Sequence, residues 1–126
     1  MTSKVLVTGG SGFIGNALIR HLLENDVHVI ATTTNINNDL LEHKYLTWLE
    51  WNYKKAAELD IAWNSIDAIV HAAAPRNLFD FPDNAEPIYD VLLDATHYLL
   101  KQAVQHNINN FNLISTGDVI GHPEVQ

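Results

Sequence analysis

An α/β architecture is what this sequence predicts: a doubly wound parallel sheet of about five strands with helices on both faces. Short apolar runs rich in β-branched residues alternate with stretches of helical period along the chain. Those runs look buried, as strands covered on both faces must be. The first of them empties into "GGSGFIG", Gly9 to Gly15, where three of the six glycines, Gly9, Gly12 and Gly15, fall three residues apart.

The elements follow in order. "KVLVT", Lys4 to Thr8, is the first strand, and "FIGNALIRHLLEN" is a helix with Ile14, Leu18 and Leu22 at i, i+4, i+8 and Ala17 beside them. "VHVIATTT", Val27 to Thr34, reads as a second strand, with a turn at "NINND". "LLEHKY" is a candidate short helix, and "LTWLEWN", Leu46 to Asn52, a third strand. "YKKAAELDIAW" is expected to be helical, and "DAIVHAAA", Asp67 to Ala74, opens with a fourth strand. Pro75 to Pro87 holds three prolines and no usable period, the pattern of a surface loop. The strongest helix runs from Ile88 to Asn107, with Ile88, Val91, Leu92, Ala95, Leu99 and Ala103 as one apolar stripe. "FNLIST", Phe111 to Thr116, is the fifth strand, and "GDVIGHPEVQ" is a loop.

Composition bounds the rest. With 126 residues and 14.1 kDa the chain is read as one domain, and its 47% apolar and 17% charged content is that of an ordinary globular protein. No apolar run approaches the roughly 18 residues of a spanning helix, and "MTSKVLV" lacks the regions of a signal peptide. The chain has no cysteine, so disulfides, thiolate metal sites and a cysteine nucleophile are excluded, and a cytoplasmic location is the default expectation. No metal site is expected. A formal charge of -8 repels phosphate polymers and anionic membranes, so neither nucleic acid nor a membrane is expected as a partner.

One small anion is a different matter, because backbone amides at a helix start act over a few ångströms whatever the net charge. Binding a pyrophosphate needs a tight turn, backbone close to the ligand, and a helix packed closely on its strand; Gly9, Gly12 and Gly15 serve those needs in that order. A P-loop fails as an alternative, since it needs Gly-Lys-Ser/Thr and Phe13 and Ile14 follow Gly12. A glycine turn that binds nothing is the remaining competitor.

"VTGGSGFIG" resembles the opening of the extended short-chain dehydrogenase/reductase family, the NAD-dependent epimerase/dehydratase group, with its TGxxGxxG spacing. "DAIVHAAA" resembles the family's DxVxHxAA, "FNLISTGDVIG" its FxxxSSxxVYG, and "YDVLLDATHYLLKQA", more loosely, its YxxNVxGTxNLLxA helix. The resemblance implies a Rossmann-like fold and an NAD or NADP cofactor. It places Gly9, Gly12, Phe13, Ile14 and Gly15 at the pyrophosphate, and Thr33, Thr34 and Asn35 at the adenosine ribose. Thr33 holds no acid and Thr34 no arginine, so the choice between the two cofactors stays open. By the same resemblance Asn52 accepts from the adenine amino group, Tyr53 lies beside the ring, and Ala72, Ala73 and Ala74 line the cofactor's path. His71 is expected to be a packed strand-end residue.

In this family a tyrosine moves the proton while hydride moves to or from the nicotinamide, and a serine or threonine polarises the substrate oxygen. Thr116 holds the place of that hydroxyl, and is the one catalytic residue implied here. None of Tyr45, Tyr53, Tyr89 or Tyr98 is followed by lysine four residues on, so the YxxxK motif is absent. The expectation is therefore the N-terminal cofactor-binding part, residues 1–126, of a longer oxidoreductase, inactive alone, whose other part holds a small-molecule substrate such as a nucleotide sugar. Leu92 stands where the family's helix has an asparagine and Ile120 where its loop has a tyrosine. These departures keep open a non-catalytic dinucleotide sensor or regulatory module. The resemblance also implies a possible homodimer through the helix at Ile88 to Asn107.

Overall fold

A computed structural model describes residues 3–53, 58–73, 83 and 85–114. Among them five strands form one sheet: β1 (Lys4–Thr8), β2 (His28–Thr33), β3 (Leu46–Glu50), β4 (Ala68–His71) and β5 (Phe111–Leu113). Their spatial order is β3-β2-β1-β4-β5, and every pairing is parallel. The doubly wound α/β sheet expected from the sequence is therefore present. After β3 the chain crosses back over β1 to lay down β4, so the carboxyl ends of β1 and β4 flank the point where the winding reverses, the usual ligand crevice of such sheets.

β1 lies at the middle and is covered from both sides. Val5 and Val7 belong to a core cluster with Ile19, Leu23, Val29 and Ala31, while Leu6 points the other way, into a cluster with Ile69, Val91, Ala95 and Leu99. This is the two-residue period of a strand read out as two cores. Helix α1 (Phe13–Glu24) seals the first. The second is sealed by one continuous helical stretch, α2 (Ala85–Tyr89), a π-helical turn (Asp90–Asp94) and α3 (Ala95–Gln105).

Several local expectations are corrected. The buried stripe of α1 is Gly15, Ile19 and Leu23, one position beyond the expected Ile14, Leu18 and Leu22. Gly15 faces β1 because only a residue without a Cβ fits there, and that choice rotates the helix. Residues 40–45 are not helical; the Trp48 indole N–H donates to the Leu41 carbonyl at 2.8 Å and holds the segment against the sheet. Residues 58–62 are not helical either, since the Leu59 amide donates to the Tyr98 hydroxyl at 2.9 Å; residues 54–57 of that expected helix lie outside the described ones. Most of the Pro75 to Pro87 loop and everything after Ile114 also lie outside them, and α2 begins three residues before Ile88. Leu92 is 43% exposed, because the wider π turn rotates it off the stripe that Ile88, Val91, Ala95, Leu99 and Ala103 keep. No helix among the described residues is long and apolar enough to cross a membrane.

Leu99 is fully buried, and its neighbour Leu100 is 43% exposed. Leu99→Ala is expected to lower unfolding free energy by about 2–5 kcal/mol, and Leu100→Ala by no more than about 0.5 kcal/mol, both read by urea denaturation. Equal effects would mean that the helix packs by another face.

Candidate functional site

The glycine turn is built by three close approaches. Gly9 has a φ of +65°, and a Cβ on it would lie 2.6 Å from the Ala73 Cα, so the end of β4 presses directly on the turn. A Cβ on Gly15 would collide with the Gly9 carbonyl oxygen and lie 3.0 Å from the Gly10 Cα. Gly10 was not singled out by spacing, yet a Cβ there would meet Ile19 at 2.8 Å, Trp48 at 2.9 Å and Ala31 at 3.0 Å. The adjacent pair of glycines was the available signal.

Gly12 differs from these. A Cβ there would meet only the Gly9 oxygen, at 3.3 Å, and otherwise open space. It is the N-cap of α1 with no side-chain cap bond, and no acid lies in the first turn. The amides of Phe13, Ile14 and Gly15 have no acceptor within the helix, as at any helix start. Phe13 is 92% exposed and Ile14 52%, so nothing of the described chain covers this end. Positive partial charge at uncapped amides, an open cradle and a first helical turn without carboxylates fit a phosphate-bearing ligand.

Hydrogen bonds hold the turn to β2. The Gly12 amide donates to the Gly9 carbonyl at 3.1 Å and the Gly10 amide to the Thr32 carbonyl at 2.9 Å. Ser11 and Thr33 hydroxyls lie 3.0 Å apart, while the Thr33 hydroxyl also donates to the Asn35 carbonyl at 3.2 Å and accepts from the Asn35 amide at 3.3 Å. Thr33 is thus 3% exposed and engaged under the turn, while Thr34 and Asn35 are the exposed residues at that edge.

Tyr53 lies in the core below the turn. Expected beside an adenine ring, it is 4% exposed, with its ring 4.6 Å from that of Trp51. Its φ of +65° turns the side chain inward, where the hydroxyl meets the Thr32 side chain and the Gly9 amide. Burial raises its pKa above the ordinary tyrosine value, against those two hydrogen bonds, so it stays protonated near neutral pH. Asn52 is exposed.

At the end of β4, Ala72 and Ala73 are half-buried, and their amides donate to the Thr8 hydroxyl at 3.1 and 3.4 Å. His71 is buried as expected, with Nδ1 2.6 Å from the Thr8 hydroxyl and Nε2 3.2 Å from the Val91 carbonyl. Burial lowers its pKa below 6.5, outweighing the opposite pull of the Val91 carbonyl. Ala74 and Thr116 lie outside the described residues, and among those described no group of histidine and carboxylate side chains is arranged for a metal.

The description "NAD dependent epimerase/dehydratase family" matches residues 5–126. Among curated proteins the chain is 30% identical over 125 residues to the low-salt glycan biosynthesis protein Agl12 of Haloferax volcanii, covering 93% of this chain and 40% of that one. It is 27% identical over 121 residues to a UDP-glucose 4-epimerase of Halalkalibacterium halodurans, covering 94% and 36%. To a dTDP-glucose 4,6-dehydratase of Neisseria meningitidis serogroup B it is 27% identical over 137 residues, covering 94% and 39%. The chain thus spans 36% to 40% of the length of these relatives. Among solved structures it superposes on Bordetella bronchiseptica WbmG in complex with NAD at TM-score 0.81 and 22% identity, over 99% of this chain and 41% of that one. The UDP-Glc/GlcNAc 4-epimerase of Campylobacter jejuni gives TM-score 0.78 at 24% identity, over 98% and 40%. At such identities the structures show the shared fold.

The lowered pKa of His71 sets a pH dependence of folding. Below pH 6.5 the unfolded chain binds a proton that the native imidazole does not take until its lower native pKa. Stability contributed by neutral His71 is therefore present above 6.5 and is lost as pH falls through the native value. Urea midpoints at pH 7.5 and pH 5 are expected to differ more for the parent protein than for His71→Gln; an equal difference would refute a buried neutral imidazole.

Proposed function

Because the chain belongs to the NAD dependent epimerase/dehydratase family, we propose that it is the cofactor-binding part of an NAD-using enzyme that epimerises or dehydrates nucleotide sugars. The observation that carries this reading is the bare helix start, where Gly12 offers open space and the first amides of α1 point outward. The family's description supports NAD over NADP. The main-chain amides of Phe13, Ile14 and Gly15 hold the pyrophosphate in this proposal, across the open side of Gly12 and above the turn at Gly9. Thr34, Asn35 and Asn52 present polar groups at the adenosine edge, and Ala72 and Ala73 bring small side chains to the cofactor's path, the role also assigned to Ala74.

When bound, the nicotinamide supplies a hydride acceptor. The chain's own contribution is to fix that group: the turn is locked to β2 and β4, so ligand binding requires little reordering. Thr116 is the hydroxyl assigned to polarise the substrate oxygen. The names of the relatives, UDP-glucose 4-epimerase and dTDP-glucose 4,6-dehydratase, support a sugar nucleotide as substrate class. Exposed Leu93, Leu100 and Val104, spaced seven and four residues apart, support the expected homodimer. A cytoplasmic setting, expected from the cysteine-free composition, is part of the same proposal.

Leu92 favours a second reading, a dinucleotide-binding regulatory module without chemistry. It is 43% exposed and brings no hydrogen-bonding group to a helix position where the resemblance implies an asparagine. Supplying UDP-glucose to the full-length protein with NAD separates the two: formation of the epimer supports the enzyme, whereas cofactor binding without turnover supports the module.

Trp48 touches the turn at Gly10 and serves as the optical reporter. Titration with NADH is expected to quench tryptophan emission saturably in the parent protein. Gly12→Val, whose Cβ meets only the Gly9 carbonyl oxygen, at 3.3 Å, is expected to weaken binding by about tenfold or more, a loss of about 1.4 kcal/mol, while the cooperative thermal unfolding of the parent is retained. Undiminished binding by this variant would move the phosphate site elsewhere.

A further inference from the structure

His71 carries a hydrogen-bond chain whose every proton can be placed. The Ala72 and Ala73 amides can only donate, so the Thr8 hydroxyl accepts from them and gives its own hydrogen to His71 Nδ1. The Val91 carbonyl can only accept, so Nε2 carries the imidazole hydrogen. Both side chains are sealed from solvent, Thr8 at 0% and His71 at 1% exposure. The order of donors is therefore imposed by backbone groups at both ends and admits one tautomer.

The far end of the chain meets an irregularity of the helix. In a regular α-helix the Ala95 amide would donate to the Val91 carbonyl; here it donates to the Asp90 carbonyl, five residues back. The π turn thus releases the Val91 oxygen from Ala95 at the place where the imidazole reaches it. At the near end, Ala73 abuts Gly9 of the turn, with 2.6 Å between its Cα and a Cβ built on that glycine.

We propose that His71 is a positioning residue for the dinucleotide crevice, tying the end of β4 to the end of β1 through Thr8 and holding the helix across the crevice in its π register through Val91. It touches no ligand in this account. Its effect passes through the Ala72–Ala73 backbone to the left-handed Gly9 and so to the amides beyond. This inference rests on the proposed cofactor site.

The test uses Thr8, which lies outside the set of cofactor contacts. Thr8→Val keeps the shape and removes the hydroxyl, leaving Nδ1 and two amides without a partner; Thr8→Ser restores the hydroxyl. NADH affinity, read by tryptophan quenching, is expected to fall about tenfold in Thr8→Val and to return to near the parent value in Thr8→Ser. In the ¹⁵N spectrum of the parent imidazole, His71 Nδ1 is expected as the unprotonated nitrogen and Nε2 as the protonated one, with Nδ1 shifting in Thr8→Val. Parent-like affinity in Thr8→Val, no rescue by serine, or a protonated Nδ1 in the parent spectrum would overturn the proposal. A parent protein that binds no NADH, yet shows the expected tautomer, would instead count against the cofactor reading. Should Thr8→Val not fold, the parent spectrum still decides the proton order.

Discussion

Three backbones meet at the end of β1 with no space for a single methyl group between them. Gly9 carries the end of β4 against it, Gly15 brings the first helix onto the Gly9 carbonyl, and Gly10 fills the gap below Ile19, Trp48 and Ala31. This contact sets the rotation of α1, the height of β4 and the direction in which the helix start points. A side chain at Gly9 would face both the Ala73 backbone and an unfavourable positive φ. Gly12 is exempt from the crowding, and its open side is where the architecture leaves room for something other than protein.

From that contact the polar order of the crevice follows. Close approach of β1 and β4 buries Thr8 and His71 side by side, and buried polar groups must find partners. They find them in each other, in the Ala72 and Ala73 amides and in the Val91 carbonyl, and no buried side-chain polar atom among the described residues lacks a partner. On the other flank Thr32, Thr33 and Tyr53 take up the amides and hydroxyls below the turn. The upper side, beyond Gly12, is left to the first amides of α1, which have no acceptor within the helix. Support beneath and open amides above are what a preorganised anion site needs.

Much of this was legible from residue order. The β1 run, the glycine spacing, the parallel sheet and the helix on each face followed from pattern alone, because period and turn chemistry are local properties. What was not legible depended on contacts distant in sequence. The inward face of α1 is decided by Gly15 against Gly9, so the stripe of Ile14, Leu18 and Leu22 misled by one position. Leu92 lost its place in the core to a π turn that no propensity announces. Thr33 and Tyr53 lie where the motif puts them in sequence, but their hydroxyls are engaged beneath the turn, Thr33 by Ser11 and Tyr53 by Thr32 and Gly9. The segment before β3, a candidate short helix by sequence, is instead held by the bond from Trp48 to the Leu41 carbonyl.

The central claim is that main-chain amides at the start of α1 receive a diphosphate. Amide ¹H–¹⁵N spectra during titration with NAD address it most directly. The account predicts that Gly12, Phe13, Ile14 and Gly15 show the largest shifts and move together with saturation. A saturable response that leaves those four amides in place while others move would contradict it.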